Sequence, residues 1–225
     1  DIATMYRYNI ILSNSDQNEA KELELLNTML GKQVDGIVMM SDHVTDKLAN
    51  AIRQSPVPIV LAGSIIQNHT IPTVNIDYFQ AAFDAIQLFI EKGHKEISFV
   101  SGPLEYTING EYKLEAYKKA LRQANIEVNE QFIDATDGTY DEAILSWENF
   151  TQKGHVPTAI FAGSDEIALG IIHAVQDSGK RVPEDVEVIS FENSKLARMV
   201  RPQLTSVALP LYDIGAVSMR LLTKL

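Results

Sequence analysis

The stretch PTAIFAGSDEIALGIIHAVQDSGKRVPEDVEVISFEN, residues 157 to 193, contains a complete strand–helix–strand unit. TAIFAG (158 to 163) is a short continuous apolar run. Ser164 and Asp165 follow as side chains able to cap a helix. EIALGIIHAVQDSG (166 to 179) is the helix, stopped at Gly179, and DVEVISFEN (185 to 193) is a second apolar strand. Strands without polar alternation, joined by an amphipathic helix, belong in a parallel sheet covered on both faces.

The same alternation extends outward in both directions. Upstream, the pattern predicts strands over 9–14, 34–40, 58–63, 73–77, 96–102 and 131–136. It predicts helices over 18–32, 45–55, 78–93, 111–124 and 140–154. Downstream come a strand over 204–209 and a closing helix over 211–225. Two successive runs of this kind predict two doubly wound α/β lobes joined by a multi-strand hinge. The expected boundaries are 1–102 plus 209–225 for the first lobe and 103–208 for the second, with passages near Ser101–Pro103 and Ala208–Pro210. The chain opens on a helix that has no strand before it and stops on a helix, which suggests a fragment at both ends.

Composition narrows the function. The 225 residues carry a net charge of −11, so no general polyanion-binding surface is expected. The chain has no cysteine, which excludes disulfides, thiol catalysis and thiolate metal sites and fits a cytoplasmic location. No apolar run approaches the ~20 residues of a membrane span. Nucleophile-elbow, zinc-protease, Walker and dinucleotide motifs are all absent, so no enzyme is expected, nor a metal or other cofactor. The histidines (His43, His69, His94, His155, His173) are scattered, and His94 and His155 each follow a glycine at a helix end. Trp147, on an amphipathic helix, reads as packing.

Ligands of open α/β sheets sit beyond the carboxyl ends of the strands. Those ends, with the neighbouring helix starts, offer Ser13, Asp77, Tyr78, Lys113, Ser164, Asp165 and Glu192, a set suited to a small polar ligand. The same serines and aspartates serve equally well as helix caps.

The closing helix, laid out at about 100° per residue, gathers Leu211, Ile214, Ser218, Leu221, Leu222 and Leu225 on one face. Asp213, Val217, Arg220 and Lys224 form the opposite stripe, with Tyr212 beside it. Acid at the start and base at the end suit the helix dipole, and that alone would account for the charges. The other reading is a docking stripe, in which Arg220 offers a planar fork and Lys224 a second charge to a phosphate or carboxylate.

Residues 157–193, followed by RPQLTSV (201 to 207), resemble the effector-binding core of the LacI/GalR family of bacterial transcription regulators, and the likeness covers essentially the whole chain. Within that family, DIATMYRYNIILSNSDQN (1 to 18) and MVRPQLTSVALPLYDIGAVSMRLLTKL (199 to 225) look like its members for carbon catabolite control. The resemblance implies a periplasmic-binding-protein-like fold, a homodimer, and an operator-DNA-binding headpiece and first core strand ahead of Asp1. It implies a corepressor, the phosphocarrier HPr phosphorylated on serine, docked on Tyr212, Asp213, Val217, Arg220 and Lys224, with a further phosphate-contacting arginine beyond Leu225. Where sugar-responsive members often hold arginine, asparagine and aspartate, this chain has Lys113, Ser164 and Glu192. The effector that the resemblance implies is a phosphosugar modulator such as glucose 6-phosphate or fructose 1,6-bisphosphate, with Lys113 on its phosphate. A sugar-binding receptor of a transporter is the alternative on the same fold, separable by the residues that precede Asp1.

Overall fold

The computed structural model describes residues 2–16, 18–66 and 70–225. His69 lies outside them. The chain divides into two compact units, residues 1–76 with 210–225 and residues 77–209.

In the first unit, α1 (Ile2–Met5) and α2 (Glu19–Gly31) precede β1 (Ile37–Met39), α3 (Asp46–Arg53), β2 (Ile59–Ala62) and β3 (Thr73–Val74). The unit is completed by α9 (Leu211–Leu222). The three strands are parallel in the order β1-β2-β3, with Ile37 opposite Ile59 and Leu61 opposite Thr73. Asn18 and Thr45 start α2 and α3 by accepting from the amides of Lys21 and Leu48. Leu26, Leu48, Ile52, Ile59, Leu61 and Ile71 form the core.

In the second unit the order is α4 (Tyr78–Glu91), β4 (Ile97–Ser101), a π-helix over Ile108–Leu114, α5 (Glu115–Gln123), a 3-10 turn over Glu130–Phe132 and β5 (Ile133–Ala135). Then come α6 (Tyr140–Gln152), β6 (Ala159–Ala162), α7 (Asp165–Asp177), β7 (Glu187–Glu192), α8 (Lys195–Met199) and β8 (Thr205–Ala208). Five parallel strands run β5-β4-β6-β7-β8. Side chains alternate across this sheet. Val100, Ile160 and Val188 face one way, onto Ala143, Trp147 and Phe150 of α6 and Ile171 and Val175 of α7. Phe99, Phe161 and Phe191 face the other, with Phe99 5.6 Å from Phe161 and 5.5 Å from Tyr117 of α5. Both faces are therefore covered, as the continuous apolar strands require, and Trp147 is 2% exposed in the core.

Three expectations change. The passage out of the first unit falls after Ile76, not near Ser101–Pro103, because β4 pairs with both β5 and β6 inside the second sheet. Residues 9–14 form no strand among the described residues, and Ile10, Ile11 and Leu12 are exposed, because no strand lies beside them to fix one. Helix α8 was not foreseen. At five residues it is too short to show a period, although Ser194 caps it by accepting from Leu196.

Candidate functional site

Two regions, one in each unit, hold the candidate residues. In the first, α9 packs on β1, β2 and β3 through Ile214, Ala216 and Ser218, all buried. Gly36, just before β1, admits it: a Cβ there would stand 3.0 Å from Leu222. The stripe opposite the buried face is exposed, with Tyr212 69% and Val217 45% exposed and Asp213, Arg220 and Lys224 also open to solvent. Two residues assigned to the buried face are not on it. Leu211 and Leu225 are exposed, since one is the first residue of the helix and the other lies past its last turn.

Val217, Arg220, Leu221 and Lys224 line a groove with Thr73, Val74 and Asn75 from β3 and the residue after it. Among the described residues neither Arg220 nor Lys224 enters an ion pair. Asn75 donates to Ser64 O at 2.8 Å, which fixes the floor of the groove. Two cations beside a small apolar surface can hold an anionic group and the chain that carries it.

In the second unit the structure brings most of the other candidates to the carboxyl edge of the sheet, in roles of their own. Ser164 caps α7, accepting from Ile167 N at 3.2 Å. Asp77 caps α4, accepting from Gln80 N at 2.8 Å. Tyr78 is buried, its ring 6.2 Å from that of Phe191. Lys113 is 6% exposed, and its ammonium donates to Gly163 O at 2.9 Å and stands 4.3 Å from the Phe191 ring centroid. The expectation of a lysine open to the ligand is corrected, because the π-helix turns this side chain inward. Gly110 lets that helix lie against the preceding loop, where a Cβ would come within 2.0 Å of Leu104 O. Ser13 belongs to the first unit and is exposed.

Asp165 is not a wall residue but a buried hub, 0% exposed. Its carboxyl accepts from Ser190 Oγ at 2.5 Å, Ser206 Oγ at 2.9 Å and Ser194 N at 2.5 Å, joining α7 to β7, β8 and the start of α8. Sequence reading missed Ser190 and Ser206. The available signal was a serine in each of two strands otherwise read as apolar. Glu192 ends β7 at φ 112°, and Asn193 follows at φ 55°. Consecutive left-handed residues without glycine are strained and persist where their surroundings hold them.

The described residues hold no cluster of three or more metal-ligating side chains and no helix long and apolar enough to cross a membrane. His94 bonds Thr158 Oγ1 at 2.9 Å, and His155 packs edge-on against Phe132, both structural placements.

The profile of the periplasmic binding protein-like domain matches residues 86–225. Catabolite control protein A of Priestia megaterium is 58% identical over 224 residues, which cover 100% of this chain and 68% of that protein. The crystal structure of the transcription regulator CcpA of Lactococcus lactis superposes with a TM-score of 0.92 at 41% identity, over 99% of this chain and 81% of the other. A sugar-binding transcriptional regulator of the LacI family from Escherichia coli, complexed with phosphate, gives 0.80 at 26% identity, over 95% and 77%.

Proposed function

The chain belongs to the catabolite control protein A family of LacI-type transcription regulators, and from that premise we propose that α9 docks serine-phosphorylated HPr as corepressor. The chain is the effector-binding part of a regulator of carbon catabolite control, not an enzyme. The observation that carries the docking reading is the exposed stripe Val217–Arg220–Lys224, whose two cations line one groove without an ion-pair partner among the described residues, on a chain of net charge −11. A phosphoserine dianion meets Arg220 and Lys224, Tyr212 and Val217 supply apolar contact, and Asp213 meets a donor of the partner. The chain acts as a homodimer in the cytoplasm and reaches operator DNA through a headpiece outside these residues. Docking changes the geometry of the pair of headpieces.

A phosphosugar, glucose 6-phosphate or fructose 1,6-bisphosphate, modulates the docking from the carboxyl edge of the second sheet. Ser164, Glu192 and the Asp77 cap supply its polar rim. Lys113, held on Gly163 O, contributes positive potential from beneath and not an exposed contact.

Titration with phosphorylated and unphosphorylated HPr tests the docking. Arg220→Ala is expected to reduce the preference for the phosphorylated form by roughly tenfold or more, the worth of a charge-assisted bond. An unchanged preference would sink the assignment.

A further inference from the structure

The carboxyl edge of the second sheet and helix α9 are linked through one strand, β8. It runs Thr205–Ala208 and leads through Leu209 and Pro210 into α9 at Leu211. Its register against β7 pairs Ser190 with Ser206 and Glu192 with Ala208. Beyond the ladder, Leu209 N donates to Glu192 O at 3.2 Å. The strained Glu192–Asn193 turn is thus bonded to Leu209, the last residue of the second unit.

Ser206 ties that turn to Asp165. Its hydroxyl donates to Asp165 Oδ1 at 2.9 Å and accepts from the Asn193 amide at 2.9 Å. Asp165 in turn accepts from Ser194 N, on the far side of the turn. Two left-handed residues are therefore held between a buried carboxyl and one hydroxyl on β8. These bonds hold the strained turn in the geometry observed.

We infer that Ser206 is a positioning residue that couples the effector edge to the docking helix, through the Glu192–Asn193 turn and strand β8. A ligand at that edge that bonds Glu192 in one turn geometry favours that geometry, and Ser206 passes the choice to β8 and so to the start of α9. The inference rests on the phosphosugar and docking readings given above. It assigns the coupling between two sites, and neither site itself, to this residue.

The test measures docking of serine-phosphorylated HPr on the 225-residue chain and on Ser206→Ala and Ser206→Thr, with and without saturating glucose 6-phosphate. Wild type is expected to show a coupling factor within the roughly 5–150-fold range of allosteric pairs. In Ser206→Ala the factor falls to about 1, while each ligand alone binds within about threefold of wild type, as distant sites do when only their coupling is lost. Ser206→Thr keeps the hydroxyl and most of the factor. Retained coupling in Ser206→Ala overturns the inference, as does loss of both separate affinities, which would make Ser206 merely structural. Binding of both ligands to wild type without any coupling overturns it too and leaves the docking reading standing. Failure of either ligand to bind wild type removes the underlying reading and the inference with it.

Discussion

The Lys113 ammonium donates to the carbonyl of Gly163 at 2.9 Å, above the face of Phe191. Among the groups that replace lost water at this buried lysine are a carbonyl dipole and a ring face.

Replacing that lysine by methionine keeps most of the stem and removes the charge. Lys113→Met is expected to change stability by no more than about 2 kcal/mol, because an apolar isostere spares the desolvation as well as losing the bond. Lys113→Ala, which leaves a cavity, costs more, on the order of 2–4 kcal/mol. Urea denaturation of the two variants checks the order; a larger loss for methionine than for alanine would refute it.

Two glycines give opposite outcomes with the same substitution. In Gly110→Ala the new methyl meets the backbone oxygen of Leu104 at 2.0 Å, which no side-chain rotation can relieve. A loss of about 2 kcal/mol or more is expected, with local unwinding of the π-helix. Gly31→Ala, at the last turn of α2, meets nothing within 4 Å, so the gain in helix propensity stands, up to about 1 kcal/mol. Parallel thermal melts of the two variants read the contrast.

Glu22 is the group whose titration should be visible in stability. Burial raises its pKa above the ordinary glutamate value, outweighing the hydrogen bonds from Ser41 and Ser15, with Asp42 and Glu19 adding to the rise. The folded state therefore holds the proton more tightly than the unfolded chain. The stability this contributes is present below the unfolded value and is lost as pH rises through the folded one. Glu22→Gln, which mimics the protonated form, is expected to be more stable than wild type at pH 7, with the difference shrinking as pH falls through the raised folded value toward 4.5 and levelling off below it. Denaturation of both proteins across that range decides it, and a pH-independent difference would contradict the assignment.

Local periodicity made most of this architecture readable. Ser164 and the run after it mark α7, and the 3.6-residue spacing alone places Val217, Arg220 and Lys224 on one stripe. What stayed hidden depends on partners distant in the chain. The apolar letters of β4 suit either unit equally, and only pairing with β5 and β6 assigns it. Ile10 to Leu12 have strand composition and no strand beside them. Asp165 looked like a cap because its serine partners lie 25 and 41 residues away. The inward turn of Lys113 arises from a π-helix pressed against Leu104, a register that composition does not encode.

Trp147 is the only tryptophan, and it lies in the core between α6 and the second sheet. Indole emission from this chain is therefore a reporter for one half of the molecule. A fluorescence melt would record the loss of the second unit and stay silent about the first, which holds α9. A fluorophore placed at exposed Tyr212 would supply the second channel, and two separated transitions in such a pair of signals would show that the halves unfold independently.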